Sequence, residues 1–288
     1  MSTKTTNTAQ NYYDSSDADT FYYTIWGGAD IHIGLYDDDD DDDVPSSSIA
    51  SASERTVSYM ASLILPITPS TRILDLGAGY GGGARYLAKK FGCKVVCLNL
   101  SEVENERNRT MNKEAGLDKL VDVVQGNFEE VPLADQSIDI VWSQDAFLHS
   151  GHREKIIEEI ERVLVKYGGK IIFTDPMVAN NAETTKLEPI LKRLHLDSLG
   201  SVDYYETEFR KRGFEGRFED HTDQLVIHYG RVLQELESQE EQLKGMISDD
   251  YIRNMETGLN HWVEGGKSRQ LSWGILTFTR NAPRHGNG

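Results

Sequence analysis

A chain of 288 residues with 47 acidic against 30 basic side chains carries a net charge of −17, and that balance leaves no basic stripe to displace counterions from a nucleic-acid backbone. The length buries a full core and suits one large domain with an elaboration. No stretch approaches the apolar length that crosses a bilayer, and the polar start MSTKTTNTAQ lacks the apolar core of a secretion signal, so a cytoplasmic protein without membrane or nucleic-acid partners is expected.

Residues 1–10 are polar and read as a disordered tail. The stretch from 11 to 36, NYYDSSDADTFYYTIWGGADIHIGLY, brings together Tyr12, Tyr13, Phe21, Tyr22, Tyr23, Trp26 and Tyr36, more aromatic surface than a disordered arm holds. With the acidic run Asp37 to Asp43 and a helix from Ser51 to Leu65, it makes an aromatic lid and acidic loop over 11–65. The run repels itself and reads as a solvated loop. A calcium site asks for spaced oxygens around a glycine turn, so no metal is expected.

Strand and helix alternate over 66–176. Strands are expected at Arg72–Leu76, Lys94–Leu100, Val121–Asn127, Ile138–Ser143 and Lys170–Asp175, continuously apolar as in a parallel sheet buried on both faces. Ser101 with Glu104 three residues on is a capping box, and Ile156, Ile157, Ile160, Val163 and Leu164 share one helical face. Cys93 and Cys97 fall on one strand about 13 Å apart, too far for a disulfide, and are expected reduced. From 177 to 267 the pattern turns helical, Ala182–Arg212 and Asp223–Val263, around a short strand at GRFEDHT. The segment RQLSWGILTFTR, within 268–288, supplies a final strand. The expected fold is α/β: a doubly wound Rossmann-like sheet under a helical cover.

The turn after the first strand, DLGAGYGGG, fits the G-x-G-x-x-G dinucleotide fingerprint through Gly77, Gly79 and Gly82. Asp75 argues against a dinucleotide, because its carboxylate would repel a pyrophosphate held at the helix N-terminus. S-adenosylmethionine brings a sulfonium and an ammonium but no phosphate, and the loop reads better as a methyl-donor site.

In a doubly wound sheet, ligands gather at the carboxyl ends of the strands. Those ends carry Asp75, Gly77 and Gly79, then Asn99, then Asn127 and Phe128, then Gln144 and Asp145. His149 in SQDAFLHS is suited to orient or deprotonate an acceptor, and His32 in DIHIG is a similar candidate. Both residues equally fit a structural role. Tyr22, Trp26 and Tyr36 are candidates for a cage around a cation.

DLGAGYGGG, LNLSEVENERNR and WGGADIHIGLY together resemble the class I S-adenosylmethionine-dependent methyltransferases, and more narrowly the sarcosine/dimethylglycine N-methyltransferases of the glycine betaine pathway. FTDPM, with Pro176 and Met177, resembles the branch acting on sarcosine and dimethylglycine. The resemblance covers about Asn11 to Arg280 and implies a mostly parallel sheet with a last antiparallel strand. It also implies donor contacts from Asp75, Gly77, Gly79, Asn99, Asn127, Phe128, Gln144 and the lid residue Tyr12. Acceptor contacts would come from Tyr22, Trp26, Tyr36, Pro176 and Met177, with His149, Tyr22 and Trp26 at the reacting centre. Asn99 stands where most of the class has an acid for the ribose. The implied acceptor is a small amino-acid amine, whose carboxylate calls for a cation among Arg153, Arg162, His221 and Arg231. Rival readings are a lipid, sterol or phosphoethanolamine-type acceptor and a non-catalytic donor-binding protein. The charge-rich cover favours the small amine. Self-association is left open.

Overall fold

The computed structural model describes residues 10–36, 48–194 and 196–281. Most of the N-terminal tail and the whole acidic run therefore lie outside the described residues.

The sheet is built from β1 (Arg72–Leu76), β2 (Lys94–Asn99), β3 (Val121–Gln125), β4 (Ile140–Gln144), β5 (Lys170–Thr174), β7 (Phe214–Asp220) and β9 (Gly274–Arg280). β6 (Met177–Val178) and β8 (Leu271–Ser272) pair separately as a small antiparallel ribbon. Strand order in the sheet is β3-β2-β1-β4-β5-β9-β7, and β9 runs antiparallel to both of its neighbours while the other pairs are parallel. The order reverses between β1 and β4, which opens a crevice at the carboxyl ends of these strands.

The helices are α1 (Ser16–Ile25), α2 (Ile49–Leu63), α3 (Gly82–Phe91), α4 (Glu102–Glu114), α5 (Arg153–Val163), α6 (Glu188–Leu194), α7 (Val202–Lys211), α8 (Thr222–Leu243) and α9 (Asp249–Lys267). Ser15, Ser48, Ser101, Ser201 and Ser248 open α1, α2, α4, α7 and α9, each side chain accepting an N–H three residues on. Such caps contribute about 1 kcal/mol each.

Three apolar clusters hold these layers together. Val57 and Met60 of α2 and Leu87 of α3 cover one face of the sheet with Ile73, Val95 and Trp142. On the other face, Ile156, Ile157 and Ile160 of α5 join Tyr205 and Phe209 of α7 against Phe173 and Phe278. The third cluster seats Phe21, Tyr22 and Ile25 of α1 against Val232 and Leu236 of α8 and Leu259 and Trp262 of α9. Burial of each large side chain is worth about 1.5–3 kcal/mol, which accounts for the firm seating of the aromatic N-terminal segment.

Several expected elements are interrupted. The helix expected over Ala182–Arg212 divides into α6 and α7, and the one over Asp223–Val263 into α8 and α9, with Ser248 capping the second half. The last strand breaks at Trp273. Its indole is fully buried and donates to Asp145 Oδ1 at 2.8 Å, while its backbone N–H donates to Thr222 Oγ1 at 3.1 Å. These bonds take the residue out of the ladder and split the segment into β8 and β9.

Candidate active site

The crevice forms a cleft lined by Gly77, Gly79, Asn99, Leu100, Ser101, Glu104, Asn127, Phe128, Gln144, Asp145 and His149, with Tyr13 and Ile31 contributed by the N-terminal segment. Its floor depends on glycine. Gly77 has φ +76°, and a Cβ there would fall 2.4 Å from the Cβ of Ala146. Gly82, first residue of α3, lies so close to the Asp30 carboxylate that a Cβ would fall 2.1 Å from Oδ1.

Beside this floor a recess is bounded by Asp30, His32, Asp75, Gly77, Gly79 and Gln144. Asp75 is buried at the end of β1 and its carboxylate makes no hydrogen bond to any described residue. Burial pushes its pKa up to about 7; the Asp30 charge adds to the rise and His32 opposes it. His32 Nε2 lies 3.3 Å from Asp30 Oδ1. Burial disfavours the imidazolium, but the Asp30 carboxylate beside it, with Asp145 nearby, outweighs burial and raises the His32 pKa. Gln144 Oε1 accepts from Trp142 Nε1 at 2.9 Å, which leaves Nε2 buried without a partner. A buried unpaired carboxylate and a buried unused amide donor fit the ammonium and polar end of an amino-acid tail.

At the other end of the cleft Asn99 Nδ2 donates to Glu104 Oε2 at 2.8 Å. The Ser101 half of the expected capping box forms, its hydroxyl accepting from Glu104 N at 3.2 Å. The Glu104 carboxylate instead lines the cleft. Burial pushes its pKa up to about 7, with the Asn99 hydrogen bond pulling the other way. A carboxylate from the first turn of α4 thus stands beside Asn99 at the end of β2.

A second chamber adjoins the cleft and shares Tyr13, Ile31, Asp145 and His149 with it. Its walls include Tyr12, Tyr22, Trp26, Pro176, Tyr229, Met255 and Trp262. Tyr12 Oη lies 3.1 Å from the hydroxyls of both Tyr22 and Tyr251, and Tyr13 Oη lies 3.0 Å from His149 Nε2. Burial raises the pKa of Tyr13 and Tyr22, keeping both phenols neutral. Burial pushes His149 down to about 4, and the Arg193 charge adds to the fall. Asp145 sits at the junction in a left-handed conformation, φ +51°, accepting from Ile33 N at 2.7 Å and from Trp273 Nε1 at 2.8 Å.

Most residues expected to hold the donor meet around the cleft and recess: Asp75, Gly77, Gly79, Asn99, Asn127, Phe128 and Gln144. Tyr12 is displaced from that expectation: it lines the aromatic chamber and not the cleft, whereas its neighbour Tyr13 lines both. Tyr22, Trp26 and Pro176 line the chamber, and His149 lies where chamber and cleft join. Tyr36 and Met177 do not line it. The Tyr36 hydroxyl lies 3.0 Å from His228 Nδ1 and the Arg231 guanidinium lies over its ring, while Met177 is buried in the core beneath β5. The four expected cations also lie elsewhere: Arg153 binds Ser198, Arg162 pairs with Asp135 and Glu159, His221 packs near Trp273, and Arg231 covers Tyr36.

The family model described as a methyltransferase domain matches residues 74–173. Sheet order, glycine floor and donor cleft together define an S-adenosylmethionine-dependent methyltransferase of the Rossmann-like class. Over 274 residues the chain is 53% identical to the sarcosine/dimethylglycine N-methyltransferase of Halorhodospira halochloris, covering 95% of this chain and 96% of that protein. It is 52% identical to the glycine/sarcosine/dimethylglycine N-methyltransferase of Actinopolyspora halophila, covering 96% of this chain and 48% of that longer protein. A crystal structure described as a candidate sarcosine dimethylglycine methyltransferase from Galdieria sulphuraria superposes with a TM-score of 0.87 at 40% identity, over 94% of this chain and 99% of the other. The chain belongs to the sarcosine/dimethylglycine N-methyltransferase family.

Proposed function

We propose that this protein methylates the nitrogen of sarcosine and of dimethylglycine in the cytoplasm, forming dimethylglycine and then glycine betaine. The observation that carries the reading is the direct junction, at Tyr13, Ile31, Asp145 and His149, between a cleft suited to a cationic donor and a chamber walled by aromatic rings. When bound, S-adenosylmethionine supplies a methyl group on a sulfonium whose thioether leaves without protonation. Alignment is therefore the main demand on the protein.

The chain's own residues fill three roles in this account. Asp75, Asp30 and Gln144 hold the donor's amino-acid end, Gly77 and Gly79 allow its close approach, and Asn99 with Glu104 meets the ribose. Tyr22, Trp26, Tyr229 and Trp262 present rings to a nitrogen that becomes quaternary, each suitable contact contributing about 0.5–2 kcal/mol. With a pKa near 4, His149 is too weak a base to strip an alkylammonium, so it positions the Tyr13 hydroxyl at the junction.

The amine must then arrive neutral, although dimethylglycine is mostly an ammonium zwitterion near neutral pH. The rate of betaine formation is expected to climb from pH about 6 to about 9, following the neutral amine. Initial rates measured by mass spectrometry test this: a flat profile would overturn the proton assignment, and no betaine at any pH would overturn the function.

A further inference from the structure

The tyrosine and tryptophan side chains that wall the chamber offer no positive charge to the acceptor's carboxylate. We propose that Arg193 is the carboxylate's partner, the residue that selects α-amino carboxylates over amines without an acidic group. The inference rests on the acceptor chemistry proposed above.

Arg193 lies in the last turn of α6 and lines the aromatic chamber but not the donor cleft. It is the one arginine among the described residues of the chamber lining, and no lysine joins it. Among the described residues it forms neither a hydrogen bond nor an ion pair, and its Nε is buried with no partner. An arginine near a helix C-terminus has the helix dipole in its favour. That interaction accounts for the charge on α6 but not for a guanidinium, with a buried unused donor, lining an aromatic chamber. Guanidinium donors match a carboxylate in fork geometry. A carboxylate bound at Arg193 would keep the amine, one carbon away, within the chamber that opens to the donor cleft.

α9 is shaped around this group. Gly258 faces it so closely that a Cβ would lie 2.5 Å from the guanidinium carbon and 2.6 Å from Nε. Gly258 sits inside a 19-residue helix, where glycine costs about 1 kcal/mol relative to alanine. Its φ is not left-handed, so backbone conformation does not require it. The room it leaves for the guanidinium does.

The test uses Arg193→Ala, Arg193→Lys and Gly258→Ala in the full chain. Steady-state kinetics are measured with dimethylglycine and with 2-(dimethylamino)ethanol, which carries the same amine without the carboxylate. Donor affinity is measured by calorimetry. Arg193→Ala is expected to lower kcat/KM for dimethylglycine about ten- to a hundredfold, the range of hydrogen bonds to charged groups, mostly through KM. Its donor affinity should stay within about twofold of wild type, and its kcat/KM for the amino alcohol should fall far less than that for dimethylglycine. Arg193→Lys should recover part of the loss. Gly258→Ala favours the helix and displaces the guanidinium, so it should raise KM for dimethylglycine while retaining the fold and donor binding. An unchanged KM for dimethylglycine in Arg193→Ala would overturn the proposal, as would an equal loss on both amines with donor affinity retained. Should Arg193→Ala fail to fold, an unchanged KM in Gly258→Ala would overturn it instead. Wild-type protein inactive on dimethylglycine would remove the acceptor reading itself, a result recognisable without any variant.

Discussion

Asp75 shows how a single side chain can report on the ligand. A carboxyl whose folded pKa is raised holds a proton that the unfolded chain would release near 4. Its stabilising contribution is thus present at low pH and is lost as pH rises through about 7. An ammonium placed beside it reverses this preference, because a nearby cation favours the ionised carboxylate. Donor binding at pH about 6.5 should therefore release protons, measured from binding heats in buffers of different ionisation enthalpy. Asp75→Asn should remove most of that release and weaken the donor by about tenfold or more. Full proton release in the variant would assign the titration to Glu104 instead. Asp75 was legible in the sequence because a carboxylate beside a glycine turn contradicts the dinucleotide alternative. Glu104 was not, since a capping box accounts for the same residue, though a glutamate one turn beyond Asn99 was the available signal. Arg193, Tyr229 and Trp262 come from helices distant in the chain, so no spacing within the sequence relates them to the donor loop.

At the scale of elements, the β1-to-α3 turn is the part with the least freedom. Gly77→Ala would place a methyl 2.4 Å from Ala146 and force an L residue into φ +76°, so both the loop and the segment after β4 must shift. The expected result is a loss of donor affinity of about tenfold or more with the circular dichroism of the sheet unchanged; wild-type affinity would contradict the role assigned to this floor. The strands around it were readable because short apolar runs between turn residues are the signature of a parallel sheet, and their carboxyl ends fix where a ligand lies. Breaks were less readable. Trp273 reads as a strand residue by propensity, but its hydrogen bonds to Asp145 and Thr222 form only when β4, α8 and the last strand meet. Likewise, the stop at Gly245, φ +80°, and the cap at Ser248 between α8 and α9 lie between charge-rich stretches that both read as helix.

Across the whole molecule, one sheet brings two chambers together from separate parts of the chain. The donor side is assembled almost wholly from strand ends of the alternating β-α core, and the acceptor side from the N-terminal aromatic segment, α6, α8 and α9. This division explains why the sequence announced the first so much more fully than the second: local motifs fix strand ends, whereas a chamber between helices depends on how they pack. Nowhere among the described residues is a helix long and apolar enough to cross a membrane, and the acidity of the chain favours a small acceptor over a nucleic acid. In the reaction proposed for this protein a methyl group passes from the donor cleft into the aromatic chamber and onto an amino-acid nitrogen. The most direct measurement is to incubate the purified protein with S-adenosylmethionine trideuterated at its methyl group, separately with glycine, sarcosine, dimethylglycine and phosphoethanolamine, and to follow the label by mass spectrometry. Betaine carrying one trideuterated methyl, formed from dimethylglycine and absent with phosphoethanolamine, is the predicted result. Donor binding without label in any amino acid, or label entering phosphoethanolamine in preference, would contradict it.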